Sequence, residues 1–201
     1  MRFIKEKWPL LTAFCAVVVI FFFSFYNPYT GPESIGDPVQ SDSGQPSVFG
    51  YQGKQGMYQL DFLATYQISA AVKSKQSYTA DYPAQVSPLD LVLAWGDLNQ
   101  SDIDRHIHYS QSGRWYFSRF DAGTPVSQAY IQEHSANVHM IPADDGIATQ
   151  LNRIRVNDYI ELSGYLVRVR FENGPWTSSL TRKDAGDGSC EIMYVKKVSI
   201  S

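Results

Sequence analysis

The residues best able to do chemistry gather near the C-terminus, in the stretch Trp176 to Glu191 (WTSSLTRKDAGDGSCE). Arg182 and Lys183 supply cations, Asp184 and Asp187 carboxylates, and Cys190 a thiol, all set around a glycine-rich turn. Backbone N–H groups of such a turn, with two cations beside them, make a seat for an anionic group. Neighbouring cations also favour the thiolate form of a cysteine. Arg182, Lys183, Asp184, Asp187 and Cys190 are therefore the candidate ligand-binding residues. The bland alternative is a turn between strands, with Arg182 paired to Asp184, Asp187 or a carbonyl, and the Asp-x-Asp-x-Asp-Gly pattern of a calcium loop is not met.

A second candidate is Gly96 to His108 (GDLNQSDIDRHIH). His106 and His108, two apart in a strand, share one face, and Asp102 and Asp104 stand near enough in sequence to join them around a divalent cation. No helical pair of the His-Glu-x-x-His kind accompanies them, so ordinary surface histidines on a solvated loop outweigh a metal site. His134 and His139 flank Ser135-Ala136-Asn137, but no Gly-x-Ser-x-Gly elbow is present, and a core or capping role fits them better. Nothing in the chain calls for a cofactor.

Positioning these groups requires a domain, and alternation supplies its strands. Tyr58 to Val72 runs apolar on even positions and polar on most odd ones, the period of a half-buried strand, long enough to need bending. Ser87-Pro88-Leu89-Asp90 reads as a helix start, predicting a helix over Pro88 to Ala94. His106 to Phe120 reads as a hairpin turning at Ser110 to Gly113, Thr124-Pro125 as the start of a helix to about Glu133, and NVHMI as a short strand. Ile147, Leu151 and Ile154 mark one face of a helix capped near Asp144. Tyr159 to Phe171 changes phase at Ser163-Gly164, which signals a bulge or sharp bend. Two further strands, from Trp176 and from Cys190, finish the chain. The expected fold is α+β: a small, strongly curved antiparallel sheet or partial barrel with short helices, an OB-like barrel being the leading specific form.

Ahead of that domain lies Trp8 to Tyr26 (WPLLTAFCAVVVIFFFSFY), apolar throughout and without charge. At 1.5 Å rise per residue it spans a bilayer core as a helix. Arg2, Lys5 and Lys7 precede it and the next basic residue is Lys54, so the positive-inside bias puts the N-terminus in the cytoplasm and the rest outside. Bulky aromatics stand where a signal peptidase needs small residues, favouring an uncleaved anchor. The expected organisation is a cytoplasmic tail at 1–7, a transmembrane helix at 8–26, a flexible tether at 27–56, rich in Pro, Gly, Ser and Gln, and an exported domain at 57–201.

Beyond Tyr26 the chain carries 14 basic and 19 acidic residues, a balance that disfavours nucleic acid and anionic lipid headgroups as partners. Cys190 is the only cysteine beyond the apolar span, which excludes a disulfide within the domain.

The stretches HSANVHMIPAD (His134 to Asp144), NDYIELSGYLV (Asn157 to Val167) and WTSSLTRKDAGDGSCEIMYV (Trp176 to Val195) resemble segments of a group of uncharacterised bacterial proteins with an N-terminal membrane helix. The resemblance covers the C-terminal third and implies a bacterial envelope location without implying an activity. Together these features predict a single-pass protein of the inner membrane whose extracytoplasmic domain binds or scaffolds an envelope protein, peptide or glycan. The alternative is an envelope hydrolase working at the C-terminal glycine-rich loop or at His106/His108.

Overall fold

The computed structural model describes residues 27–183 and 188–201. The apolar segment 8–26 lies outside them, and among the described residues no helix is long and apolar enough to cross a membrane.

Gly56–Ser77 organises the fold as one strand of 22 residues, following β1 (Val39–Gly53) and numbered β2. Its alternation holds: Leu60, Ala64, Tyr66, Ile68 and Ala70 are buried while Gln59, Thr65 and Gln67 are exposed. Two irregularities bend it, one in its pairing between Phe62 and Ala64 and one between Val72 and Ser74. An extra residue in one strand of a pair raises local twist and turns the strand. The bend lets β2 serve two partners, β3 (Leu89–Ala94) through Ala71 to Ser77 and β7 (Tyr159–Phe171) through Gln59 to Ala71.

From β3 the pairing passes to β6 (Ser135–Pro142), then to β9 (Glu191–Ile200), then to β7 and back to β2. Five strands thus form a closed ring of pairings, flanked by β1 on β2 and by β8 (Gly174–Thr177) on β7. The sheet is mixed, since β6 and β9 run parallel, whereas the sequence suggested an antiparallel one. A helix, β7 and β8 lie between β6 and β9 in the chain, and such a crossover returns a strand in the same direction. The architecture is α+β, mostly β with few short helices.

Inside the ring, Leu91, Leu93, Val138, Met140, Leu162, Leu166 and Met193 form the main core with Trp95. The helix Asp145–Arg153, third in the chain and numbered α3, packs Ile147 and Leu151 into that core, with Ile154 just beyond it. Asp144 caps it, its side chain accepting the Ile147 N–H at 2.8 Å. A second cluster sits on the opposite face of the same strands, where Val167, Val169, Ile192 and Ile141 meet Leu60 and the rings of Phe62 and Tyr194. The apparent phase change in β7 is this double burial: Ile160, Leu162 and Leu166 fill the ring, and odd residues from Tyr165 onward pack outside it.

Three expectations are corrected. Leu89–Ala94 is a strand, because all six residues are buried between β2 and β6, and tertiary pairing overrides the helix-start pattern. Residues 39–53 of the presumed tether form β1, paired to β2 from Val39 to Gly53. Its polar composition reflects an edge strand in solvent, with Phe49 stacked on Phe62 at 5.8 Å supplying the apolar contact. The hairpin of β4 (Ile107–Ser112) and β5 (Trp115–Phe120) turns at Gly113-Arg114, later than expected, with φ of 59° and 73°. Two consecutive positive φ values are what a two-residue turn between twisted strands requires. The irregularity expected at Ser163-Gly164 is present: β9 skips Lys196 in its register with β7, and Gly164 serves close approach there, since a Cβ would lie 1.9 Å from the Tyr194 carbonyl oxygen.

The hairpin belongs to an insertion between β3 and β6. It is rooted by α1 (Ser101–Asp104) and α2 (Gln128–Glu133) through a small core of Leu98, Ile103, Ile107 and Ile131.

Candidate functional site

Along β6, Ala136, Val138 and Met140 enter the ring core, which turns Ser135, Asn137 and His139 outward. These three polar residues are nevertheless only 2%, 1% and 3% exposed. The β4–β5 hairpin lies over them and answers their polarity. Gln111 Nε2 donates to Asn137 Oδ1 at 2.8 Å, Asn137 Nδ2 donates to the Arg114 carbonyl at 3.0 Å, and the Tyr116 hydroxyl lies 3.3 Å from the Ser135 hydroxyl.

At the end of this seam Asp90, fully buried, faces His139 across the β3–β6 pairing. Arg114, at the turn of the hairpin, donates to Asp90 Oδ1 at 2.7 Å, to Asp81 at 2.6 and 3.0 Å, and to the Ser87 carbonyl at 2.8 Å. Its guanidinium also lies over the Tyr78 ring at 3.8 Å. Hydrogen bonding from Arg114 holds the Asp81 carboxyl below its ordinary value against the opposing effect of burial. His139 Nδ1 is 2.9 Å from Asp90 Oδ2, yet neither atom has a partner in hydrogen-bond alignment. That contact is a close polar approach across the strands; the directed bonds to Asp90 come from Arg114.

Two clefts open beside this seam and meet at Trp115 and Cys190. The larger, about 520 Å³, runs from Arg114 and His139 to Trp176 and Thr177. The smaller, about 290 Å³, runs between β5 and α2, lined by Phe117, Ser118, Gln128, Gln132, Ser135 and Arg182. Trp115 and Phe117 are 40% and 56% exposed, large apolar rings left in solvent at the cleft edge.

The candidate residues from sequence are divided by the structure. Cys190 lines both clefts, its sulfur 4.0 Å from Asn137 Nδ2. Arg182 borders the smaller cleft but is tied to the buried carboxylate of Glu191, with its guanidinium 5.9 Å from the Trp95 ring. Lys183 is exposed and faces a separate cleft with Trp95 and His134. Asp184 and Asp187 lie outside the described residues. His106 and His108 approach one carboxylate oxygen of Asp121, at 3.9 and 3.4 Å, and the His106 Nε2 accepts from Arg105 at 3.2 Å. Asp104 is drawn away to Lys73 at 2.6 Å. Among the described residues no three His, Cys, Asp or Glu side chains are grouped to hold a metal ion.

No family model, curated protein or solved structure matches this chain.

The site's other members, Asp90, Arg114, Trp115 and His139, were not marked by any catalytic motif. Two sequence features mark Asp90 and His139, and none marks Arg114 or Trp115: an aspartate inside the apolar run LDLVLA, and the alternation of Ser135, Asn137 and His139 with Ala136, Val138 and Met140 in SANVHM. A thiol, an imidazole and a carboxylate share this region, but their register is that of a lining. Cys190 lies beside Asn137, while His139 stands two residues further along β6, opposite Ile192. Indole faces, amides and hydroxyls around an open cleft suit holding a ligand.

Proposed function

We propose that this chain is a membrane-anchored, extracytoplasmic binding domain of the bacterial envelope, with the paired clefts beside the β4–β5 hairpin as its ligand site. The observation that carries the reading is the cleft itself: exposed Trp115 and Phe117 at its edge, side-chain amides of Gln128 and Gln132 along it, and a rigid polar seam beneath. Preformed concave sites with aromatic walls and a few placed polar groups are the usual form of a binding pocket.

We further read the five-strand ring as an OB-like barrel. In support stand a long first strand shared by two partners, a helix between the third and fourth ring strands, and one parallel pair between the third and fifth. In that fold ligands are held on the face of the second and third strands. Here those strands are β3 and β6, whose outer face carries the seam and the clefts. Anchoring rests on the uncharged segment 8–26 and the basic residues before it.

Two measurements on the full chain test the reading. A reporter active only outside the cytoplasm, fused after Ser201, is expected to be active; a reporter active there only in the cytoplasm overturns the location. A photo-crosslinking amino acid in place of Phe117 is expected to capture an envelope component in cells, and one in place of Ser69, on the remote face of β2, is not. Equal capture from both positions, or none from either, overturns the site.

A further inference from the structure

We infer that the larger cleft is a seat for an uncharged saccharide, with Trp115 and Trp176 as stacking surfaces and His139 as a hydrogen-bonding group at its floor. The inference rests on the binding reading above and names the ligand.

Charge comes first. Arg114 and Arg182 are the only cationic or anionic side chains among the described residues lining the two clefts, histidine apart. Each is already answered by a buried carboxylate, Arg114 by Asp90 and Arg182 by Glu191. Desolvated charges so paired offer little to an anionic ligand, because binding one would cost the existing ion pair. A phosphate, a nucleotide or an acidic peptide therefore lacks its counterion here.

Shape and polarity come next. Two indoles face one cleft of about 520 Å³. A pyranose ring presents a face of C–H groups, which packs on an aromatic plane, and a rim of hydroxyls, each both donor and acceptor. The rim needs partners that can do both. His139 lies on the cleft floor with its side chain 4% exposed and its ring 4.7 Å from that of Trp176. Its Nδ1 is turned to Asp90 and His139 lines the cleft, which leaves Nε2 as the ring nitrogen to meet a ligand there. Thr177 on the larger cleft and Gln128 and Gln132 on the smaller one add a hydroxyl and two amides, letting a chain of more than one sugar continue past Trp115.

The test is a titration of the full chain in detergent micelles with tetra-N-acetylchitotetraose, maltotetraose and cellotetraose, read by tryptophan fluorescence and calorimetry at low and high salt. Saturable binding of at least one of them is expected, indifferent to salt, weakened about tenfold or more in Trp115→Ala and largely kept in Trp115→Tyr. Trp115 is 40% exposed, so thermal unfolding of Trp115→Ala serves as the control for folding. His139→Gln, which retains hydrogen-bonding capacity, is expected to weaken binding less than His139→Leu. Binding that survives Trp115→Ala unchanged overturns the seat. Failure of all three sugars alongside a protein adduct from the crosslinker at position 117 overturns the saccharide class and leaves the binding reading standing. Failure of all three without any adduct overturns both.

Discussion

The guanidinium of Arg114, at the tip of a surface hairpin, is hydrogen-bonded at 2.7 Å to the fully buried carboxylate of Asp90 near the start of β3. One residue at positive φ thus pins an inserted hairpin to the ring and defines the wall of the cleft beside it. Removing it leaves a charge buried without its partner. Arg114→Ala is expected to lower stability by about 3–5 kcal/mol. Arg114→Lys, which cannot bridge Asp81 and Asp90 with a planar fork, should recover only part of this. Denaturant unfolding of the three proteins checks the order; an unchanged midpoint in Arg114→Ala would contradict it.

Gly164 faces the Tyr194 carbonyl so closely that even a methyl group collides with backbone, at 1.9 Å. Gly164→Ala is therefore expected to destabilise by on the order of 1–3 kcal/mol, and Gly164→Val by no less. Thermal unfolding that matches the parent in Gly164→Ala would show that the β7–β9 irregularity relaxes freely.

Arg182 was the leading ligand candidate by sequence, yet the structure ties it to Glu191, which is 1% exposed. Arg182→Ala should cost stability on the order of 1–3 kcal/mol, through the stranded carboxylate. Adding Glu191→Gln should return part of that loss. Ligand capture by the folded fraction should stay normal. Reduced capture with unchanged unfolding would restore Arg182 as a ligand residue.

Alkaline and acid limits follow from burial. Tyr66, 2% exposed and with its hydroxyl unpartnered, has its pKa raised by burial to about 12, and burial pushes Tyr109 up as well. The fold therefore favours the neutral phenols. Their contribution is fully present below the ordinary value of 10.0 and is lost as pH climbs from there through the folded value. Stability should fall between pH 10 and 12, and Tyr66→Phe should flatten that fall. Asp81 has the opposite sign: with its carboxyl held below 3.8 by Arg114, its contribution persists above that value and fades as pH drops through the folded one. Unfolding curves across both ranges, with and without Tyr66→Phe, measure the slopes.

What the sequence made legible was local. The cap at Asp144, the face of Ile147, Leu151 and Ile154, the span of β7 and the long alternating β2 are all written in neighbours a few residues apart. The strand at Leu89–Ala94 was not, because a buried strand between two others reads as an apolar run with no period, and Ser87-Pro88 then suggested a helix. β1 was missed because solvent-facing edge strands need few apolar residues. The seam of Asp90, Arg114 and His139 joins residues from three elements, and only tertiary pairing brings them together. Arg182 and Cys190, marked in the sequence as ligand candidates, both border the clefts, and Arg182 pairs with Glu191 in the strand after the loop while donating to the Thr181 carbonyl at 3.1 Å.

Cys190, half-buried and lining both clefts, is a built-in reporter of location and occupancy together. The most direct test is its rate of modification by a membrane-impermeant maleimide in spheroplasts, against the purified full chain, with Cys190→Ser as the blank. Modification in spheroplasts at a rate clearly below that of the purified chain is the predicted result, since it requires both an extracytoplasmic domain and an occupied cleft. Modification only after lysis, or at the same rate in both, would contradict the account.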